Sequence, residues 1–487
     1  MALVAAVLTL AQMQTPKAAA ETSRWVVHNV NWGYLSTIGD DKKPTAAVAS
    51  FSDGAVNKST GRIFLYLLGS HDPYSASLTV GEAAFNGTCG FAGTQLDPED
   101  PRCAKITLAG SVAQCSGADE ATGKAALFAR HPQMKTWPKD HGFAVYELHI
   151  TDIWMIDFYG GGAGVTPSLF LKVEPKNNRP SWPPSPTPAH PVEAPTTTSK
   201  AGDTSAFCDE VAANSGCCPA CGYKWSGDKC VTTQRADTPY CKLLTEPKHG
   251  GCCVYCGHVW SAAEGKCVDE KSAAVEEAPP PWKDTAARAR WLVSHSMWTA
   301  ISTTSVRLKG APWGNVRSIA DAVSSTGEPY FYLPAPDPTQ TDVSADAQIT
   351  LSLTEAALPE RAGVNGSKPC GGMDAEDPTC ARIHLSGVAA ALTSNATIKQ
   401  AEAALKAKHP LAPWLAQGGA HTGGTYYTIK IDSIEFLDFY GGFANLSVAE
   451  YLAYKPSADS PARLAPVEAP TTTSKAGDTK SAAVEEA

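Results

Sequence analysis

The sequence predicts a mainly β chain with a few helices, built as two small barrel domains joined by a small disulfide-rich module. Three observations predict it. The stretch Ile156-Asp157-Phe158-Tyr159-Gly160-Gly161 returns as Leu437-Asp438-Phe439-Tyr440-Gly441-Gly442, and an internal repeat on this scale means two versions of one domain. Each version is rich in short apolar segments, often β-branched or aromatic, bounded by Gly, Pro or Asp. Ten of the 15 cysteines fall within residues 208–267.

The duplication holds its order along the chain. Arg24-Trp25 and Trp32 match Arg290-Trp291 and Trp298, and Ser36-Thr37 matches Ser302-Thr303. The acidic run Asp97-Pro98-Glu99-Asp100-Pro101-Arg102-Cys103 matches Asp374-Ala375-Glu376-Asp377-Pro378-Thr379-Cys380. Further on, His131-Pro132 and Trp137 match His409-Pro410 and Trp414. The copies span residues 24–175 and 284–456.

Each copy opens with a helix; in the second, Asp284 is placed to cap a run of good helix formers from Thr285. Strands are expected at 46–51, 63–68, 105–108, 143–150 and 153–158. One helix interrupts them, over 124–130 and 398–408, and ends at His-Pro in both copies, where proline stops it. Short strands with few helices argue for a small barrel.

Pro183, Pro184, Pro186, Pro188, Pro191 and Pro195 make the linker 176–207 extended and semi-rigid. The block 208–267 is itself a tandem: Cys208, Cys217, Cys218, Cys221 and Cys230, then Cys241, Cys252, Cys253, Cys256 and Cys267 at similar spacings. A second linker covers 268–283. The tail 457–487 repeats both linkers: 192–204 recurs as 467–479 and 271–278 as 480–487. With few apolar residues, the tail is expected to be disordered.

Net charge is -9 with 18% charged residues, so there is no basic footprint for nucleic acid. No run reaches the roughly 18 apolar residues of a membrane span. Residues 1–20 read as a signal peptide, with a small-residue cleavage site at Ala18, Ala19 and Ala20. The cysteine content supports an oxidising compartment, as do Asn-x-Ser/Thr glycosylation sequons at Asn57, Asn86, Asn365, Asn395 and Asn445.

Several long, ordered motifs resemble the CREG family, the secreted cellular-repressor glycoproteins. They are Arg24-Trp25-Val26-Val27-His28 with Trp32, the segment from Arg130-His131-Pro132 to Trp137-Pro138, and Ile153-Trp154-Met155-Ile156-Asp157-Phe158-Tyr159-Gly160-Gly161 with Val165-Thr166-Pro167. In the second copy they are Gly327 with Tyr330-Phe331-Tyr332-Leu333, and Leu437-Asp438-Phe439-Tyr440-Gly441-Gly442. The resemblance implies a split β-barrel of the FMN-binding split barrel superfamily, homodimeric in general and not thought to use flavin. It also implies a secreted or endolysosomal glycoprotein. Because flavin enzymes of this fold hold FMN between two barrels, the two copies here are expected to form an intramolecular pseudo-dimer.

An FMN phosphate needs fixed donors. The related oxidases place a Ser-x-Lys-type segment after the strand equivalent to Tyr330-Phe331-Tyr332-Leu333, but no Lys or Arg occurs in 334–347, nor in 69–74 of the first copy. FMN is therefore not expected. Lys105 and Arg382 remain as the weak candidates for an anion, read first as solvated surface charges. The Gly160–Gly164 run is read as a turn, because the second copy replaces Gly162 and Gly164 by Phe443 and Asn445. His131 and His409 are read as capping or packing residues. His28 has Ser294 in its aligned place, which weakens a catalytic claim. No catalytic constellation and no metal site are assigned.

Cys89 with Cys103, and Cys370 with Cys380, are candidate loop-closing disulfides; Cys115 has no evident partner. In the central block, the Cys-x2-Cys pairs suit zinc knuckles, but five cysteines per unit in a secreted chain favour a disulfide scaffold with a bridge between units. Tyr223, Trp225, Tyr255 and Trp260 are read as a mini-core, with a glycan- or protein-binding face as the alternative. The expected function is that of a non-catalytic binding and regulatory glycoprotein with a glycan or cell-surface protein partner. A flavin-dependent oxidoreductase and a glycan- or matrix-binding adaptor are the alternatives.

Overall fold

A computed structural model describes residues 15–180 and 279–455, apart from loops at 56–57, 70–72, 86–88, 90–95, 159–160, 322–324, 359–368, 410–411 and 413–422. Within 215–232 and 258–269 it describes parts of the cysteine-rich block.

The first copy starts with helix α1, Pro16–Asn29. Proline at its first turn needs no N–H partner there, and the Thr15 hydroxyl accepts from the Ala18 N–H. Ala19, Ala20, Trp25, Val26 and Val27 lie in the barrel core. Residues 1–14 of the expected signal segment lie outside the described residues. The expected cleavage site at Ala18–Ala20 is inside this helix, and a cut there would remove two buried alanines.

Six antiparallel strands follow: β1 Trp32–Ile38, β2 Pro44–Ala55, β3 Lys58–Leu68, β4 Tyr74–Gly81, β5 Lys105–Gln114 and β6 Phe143–Ile156. They run in the order β3-β2-β1-β4-β5-β6, and a β3–β6 pairing closes the barrel. Inward residues such as Leu35, Phe51, Leu65, Leu78, Ile106 and Leu148 form the core with α1. The two strands expected at 143–150 and 153–158 are one strand. Its register slips between Ala109 and Gly110, so a β-bulge absorbs the break in alternation that reads as a gap in the sequence. A Cβ on Gly110 would meet the His149 carbonyl oxygen at 2.0 Å, which fixes glycine at the bulge. The expected helix is longer than 124–130: α2 spans Gly117–Arg130. The short β7 Ala163–Gly164 and α3 Pro167–Lys172 complete the copy.

The cysteine-rich block contributes two hairpins, β8 Tyr223–Trp225 with β9 Cys230–Thr232, and β10 His258–Ser261 with β11 Lys266–Asp269. Cys217 and Cys230 are disulfide-bonded, and so is Cys267. The Cys230 and Cys267 sulfurs lie 3.2 Å apart, so the two units meet there. Cys208, Cys218, Cys221, Cys241, Cys252, Cys253 and Cys256 lie outside the described residues, as do the side chains of Trp225 and Trp260 and all of Tyr255.

The second copy repeats the plan. Helix α4 is Thr285–His295, with Asp284 capping the Ala287 N–H. Strands β12 Trp298–Thr304, β13 Pro312–Ser318, β14 Tyr330–Leu333, β15 Gln348–Thr354, β16 Arg382–Ala391 and β17 Thr425–Leu437 run in the order β13-β12-β15-β16-β17-β14. Its edges touch through one bridge, Ala320 to Tyr330. The same bulge recurs between Ser386 and Gly387. The segment after β14 folds as α5, Pro338–Ala345. Helices α6 Asn395–Lys408 and α7 Val448–Ala453 close the copy. Among the described residues, no helix is long and apolar enough to cross a membrane.

The barrels pack against each other. Trp32 stacks on Trp298 at 5.9 Å between ring centroids, and Tyr34 meets Trp298 edge-on. Val48, Val316, Ala300 and the Cys89–Cys103 pair join the same buried cluster. Ser36 and Ser302, equivalent by repeat, meet at 2.7 Å. The residues at the two bulges reach across as well: Asp152 pairs with Arg307, and Asp432 lies 3.8 Å from Lys43.

Candidate functional site

The most elaborate polar chemistry among the described residues lies in the cleft between the barrels. Each copy sends an acidic loop into the other. The loop is held by a disulfide at its end, Cys89–Cys103 in the first copy and Cys370–Cys380 in the second. Both disulfides join the cysteines paired on sequence grounds.

The Asp97 carboxylate accepts from the Ser318 hydroxyl at 2.6 Å and lies 2.5 Å from His409 Nδ1. The Glu99 carboxylate accepts from the Ser318 N–H at 3.1 Å. The other loop mirrors this residue by residue. Asp374 accepts from the Ser50 hydroxyl at 2.5 Å and lies 2.6 Å from His131 Nδ1. Glu376 accepts from the Ser50 N–H at 2.9 Å. The far ring nitrogens face carbonyl oxygens: His131 Nε2 is 2.9 Å from that of Phe51, and His409 Nε2 is 2.8 Å from that of Ile319. Each ring therefore lies between two acceptor oxygens, one from each copy.

Burial works to raise every acid in this cleft. For Asp97, His409, Ser318 and the Glu99 N–H outweigh burial and bring the carboxyl down to about 2. Asp374 is lowered too, with His131 and Ser50 opposing its burial. For Glu99 burial wins over Arg317 and Lys105, and the carboxyl rises to about 7. Glu376 is also raised, by burial and then by neighbouring Asp374.

Lys105 and Arg382 are not solvated surface charges. Lys105 is buried, and its Nζ donates to the carbonyl oxygens of Glu99 at 2.9 Å and of Pro98 and Asp100 at 3.4 Å. Burial, opposed by Glu99, lowers its ammonium to about 8. Arg382, half-buried in the equivalent place, donates to the carbonyl oxygens of Ala375 at 3.0 Å and Asp377 at 3.4 Å. Both stand at the starts of equivalent strands, each against the underside of an acidic loop. The mirror breaks at one pair. Arg317 binds Glu99 and Asp337, whereas the aligned residue of the first copy is Ala49.

His131 and His409 sit where their helices end, as C-caps of α2 and α6, but their side chains serve the partner barrel. His28 is 3.2 Å from Asp53, which also takes Arg130 and the Ser59 hydroxyl. Asp321 replaces Asp53 in the second copy and binds Ser325, Thr326 and Gly327. Cys115 is a free, buried thiol whose burial pushes it up to about 11, which makes it a poor nucleophile. The Asp-Phe-Tyr-Gly-Gly turn differs between copies: Phe158 is buried, whereas Phe439 and Tyr440 are exposed. Of the sequons, Asn395 and Asn445 are described and exposed; Asn57, Asn86 and Asn365 lie outside the described residues.

Sequence reasoning used the acidic run only to align the copies and missed Ser50, Ser318, Asp97, Asp374, Glu99 and Glu376 as a set. The available signal was the pairing of an acidic run before a cysteine with a His-Pro after a helix, present twice. Two carboxylates and an imidazole are the parts of an acid–base kit, but here the carboxylates and the imidazole Nδ1 atoms are engaged in contacts between the copies.

The family model described as CREG, beta-barrel matches residues 14–172 and 280–453. Protein CREG1 of Gallus gallus is 36% identical over 183 residues, which covers 35% of this chain and 94% of that protein. Protein CREG2 of Homo sapiens is 32% identical over 170 residues, covering 33% of this chain and 58% of that protein. Among solved structures, a heme binding protein from Mycobacterium smegmatis aligns with a TM-score of 0.27 and 21% identity, over 32% of this chain and 61% of that one. A putative pyridoxamine 5'-phosphate oxidase from Listeria innocua aligns with a TM-score of 0.22 and 10% identity, over 32% of this chain and 99% of that one. The two matched segments coincide with the two barrels, and the chain belongs to the CREG β-barrel family, carrying that family's domain twice.

Proposed function

We propose that this chain is a secreted or endolysosomal, non-catalytic glycoprotein that binds and regulates through its pair of split barrels. On this reading the pair acts as one pre-assembled pseudo-dimer, presenting its outer surface to a glycan or cell-surface protein. The observation that carries the reading is the commitment of the cleft. Lys105 Nζ donates to three backbone carbonyls and Arg382 Nη1 to two, and Arg317 pairs with Glu99 and Asp337. An FMN phosphate brings about two negative charges and needs free donors, whereas Asp97, Glu99, Asp374 and Glu376 crowd the same space. The donor set does not fit the phosphate, and the proposed protein holds no flavin. On this reading a signal segment is processed without loss of the buried alanines Ala19 and Ala20 of α1.

The test is a visible absorbance spectrum of the purified full chain, followed by titration with FMN and readout of flavin fluorescence quenching. The expected result is no flavin band and no saturable quenching. A stoichiometric flavin band would overturn the non-catalytic reading in favour of an oxidoreductase.

A further inference from the structure

In the second copy the turn after β17 differs from its counterpart at two outward positions. The bridge from Phe436 to Ala444, with the Ala444 N–H donating to the Phe436 carbonyl oxygen at 2.8 Å, holds this segment extended against β17. Ala444 packs on the core and Leu446 is buried. Side chains alternate along extended backbone, so Phe443 and Asn445 share the outer face. Phe443 is 57% exposed, and Asn445 is exposed beside it. The first copy keeps the inward Ala163 and Val165 but has Gly162 and Gly164 in the outward places. An aromatic ring and a sequon asparagine thus stand together on one face in one copy only. Phe443 extends a run of exposed rings: Tyr440 is 63% exposed, and Phe439 stacks on Trp282 at 4.3 Å. Exposed aromatic surface of this kind calls for a cover. The apolar face of a pyranose suits an aromatic ring, as the stacking of planar and C–H-rich groups does generally.

We propose that Asn445 carries an N-linked glycan whose first N-acetylhexosamine lies on the Phe443 ring, shielding this end of the aromatic run. The proposal rests on the secretory reading above. In the covalent step the Asn445 amide nitrogen attacks the anomeric carbon of a lipid-linked oligosaccharyl diphosphate. The new N–C bond forms as the C–O bond to the diphosphate breaks. The lipid diphosphate leaves with the electron pair, and the amide nitrogen gives up one proton. Ser447 completes the sequon; in the folded chain its hydroxyl is part of a capping box with Glu450 at the start of α7.

The test uses the full chain passed through the secretory pathway of an animal cell line. Glycopeptide mass spectrometry reads occupancy, and thermal unfolding reads the effect of Asn445→Gln with Phe443 present and with Phe443→Ala. The expected result is an occupied Asn445, a midpoint lowered by several degrees by Asn445→Gln beside Phe443, and no such drop in the Phe443→Ala background. Asn395 is the internal control, because Thr393 stands where Phe443 stands relative to Asn445. An empty Asn445 beside an occupied Asn395 would overturn the proposal and leave secretion intact. An equal drop in both backgrounds would overturn the stacking. A secreted chain with every sequon empty would overturn the glycan alone, and a chain retained inside the cell would overturn the secretory reading together with it.

Discussion

The His409–Asp97 contact is the smallest unit that explains why the barrels stay together. Its two side chains are almost fully buried and come from different copies. Removing one partner of a buried pair leaves the other desolvated and uncompensated, a loss of about 3 to 5 kcal/mol. His409→Ala is therefore expected to destabilise the chain by about that much, and Asp97→Ala similarly. Because each variant breaks the same contact, the double variant should cost far less than the sum. Denaturant unfolding of the four proteins measures this coupling, and simple additivity would show that the pair is not a unit. The same treatment of His131 with Asp374 should give a comparable coupling, since Ser50 and Ser318 complete the two sites alike.

At the scale of elements, the acidic loops work because their bases cannot move. The Cys89–Cys103 disulfide closes a loop across residues that include Asp97 and Glu99, and both sulfurs sit in the inter-barrel cluster. Replacing both cysteines by serine is expected to cost about 3 kcal/mol through loop entropy alone. It should also weaken the barrel contact, which a rise in proteolytic nicking between residues 89 and 103 would report. Unchanged stability would mean that Lys105, from beneath, holds the loop unaided. These elements were unevenly legible. The duplication, the helix caps, the closing disulfides and the barrel class can be read from residue order, because each leaves a local mark such as Asp284 before its helix. The single long strand β6 cannot, because a bulge at Thr151, opposite Gly110 of β5, hides its continuity. Nor can the burial of Lys105, since a lysine at a strand start looks the same whether it meets water or the carbonyls of a loop folded beneath it. The cleft needed two loops, each placed in the other copy, and no local pattern carries that.

For the whole molecule, the opposed shifts in the cleft predict a stability optimum on the acid side. Glu99 is raised from 4.5 to about 7. A carboxyl whose folded value is raised contributes its full stability below the unfolded value and loses it as pH climbs through the folded one. The cleft should therefore weaken steadily from about pH 4.5 to 7. Asp97 runs the other way, lowered from 3.8 to about 2. Its contribution is present above 3.8 and disappears as pH falls towards 2. Together they put the most stable cleft between these two ranges. Around Glu99 stand Arg317, Lys105 and Asp97, so the test variant must remove the titration without removing the shape. Glu99→Gln keeps an oxygen to accept from the Ser318 N–H. In thermal unfolding across this range, Glu99 and Glu376, raised from 4.5 to about 7 and about 8, favour a midpoint that rises from pH 7 down to about 4.5 against the opposing loss from buried His384, and Glu99→Gln should reduce that rise relative to the native chain. The loss below 3.8 should persist in the variant, because it belongs to Asp97. A native midpoint that climbs towards neutral pH would show that the buried acids do not set the stability of the pair.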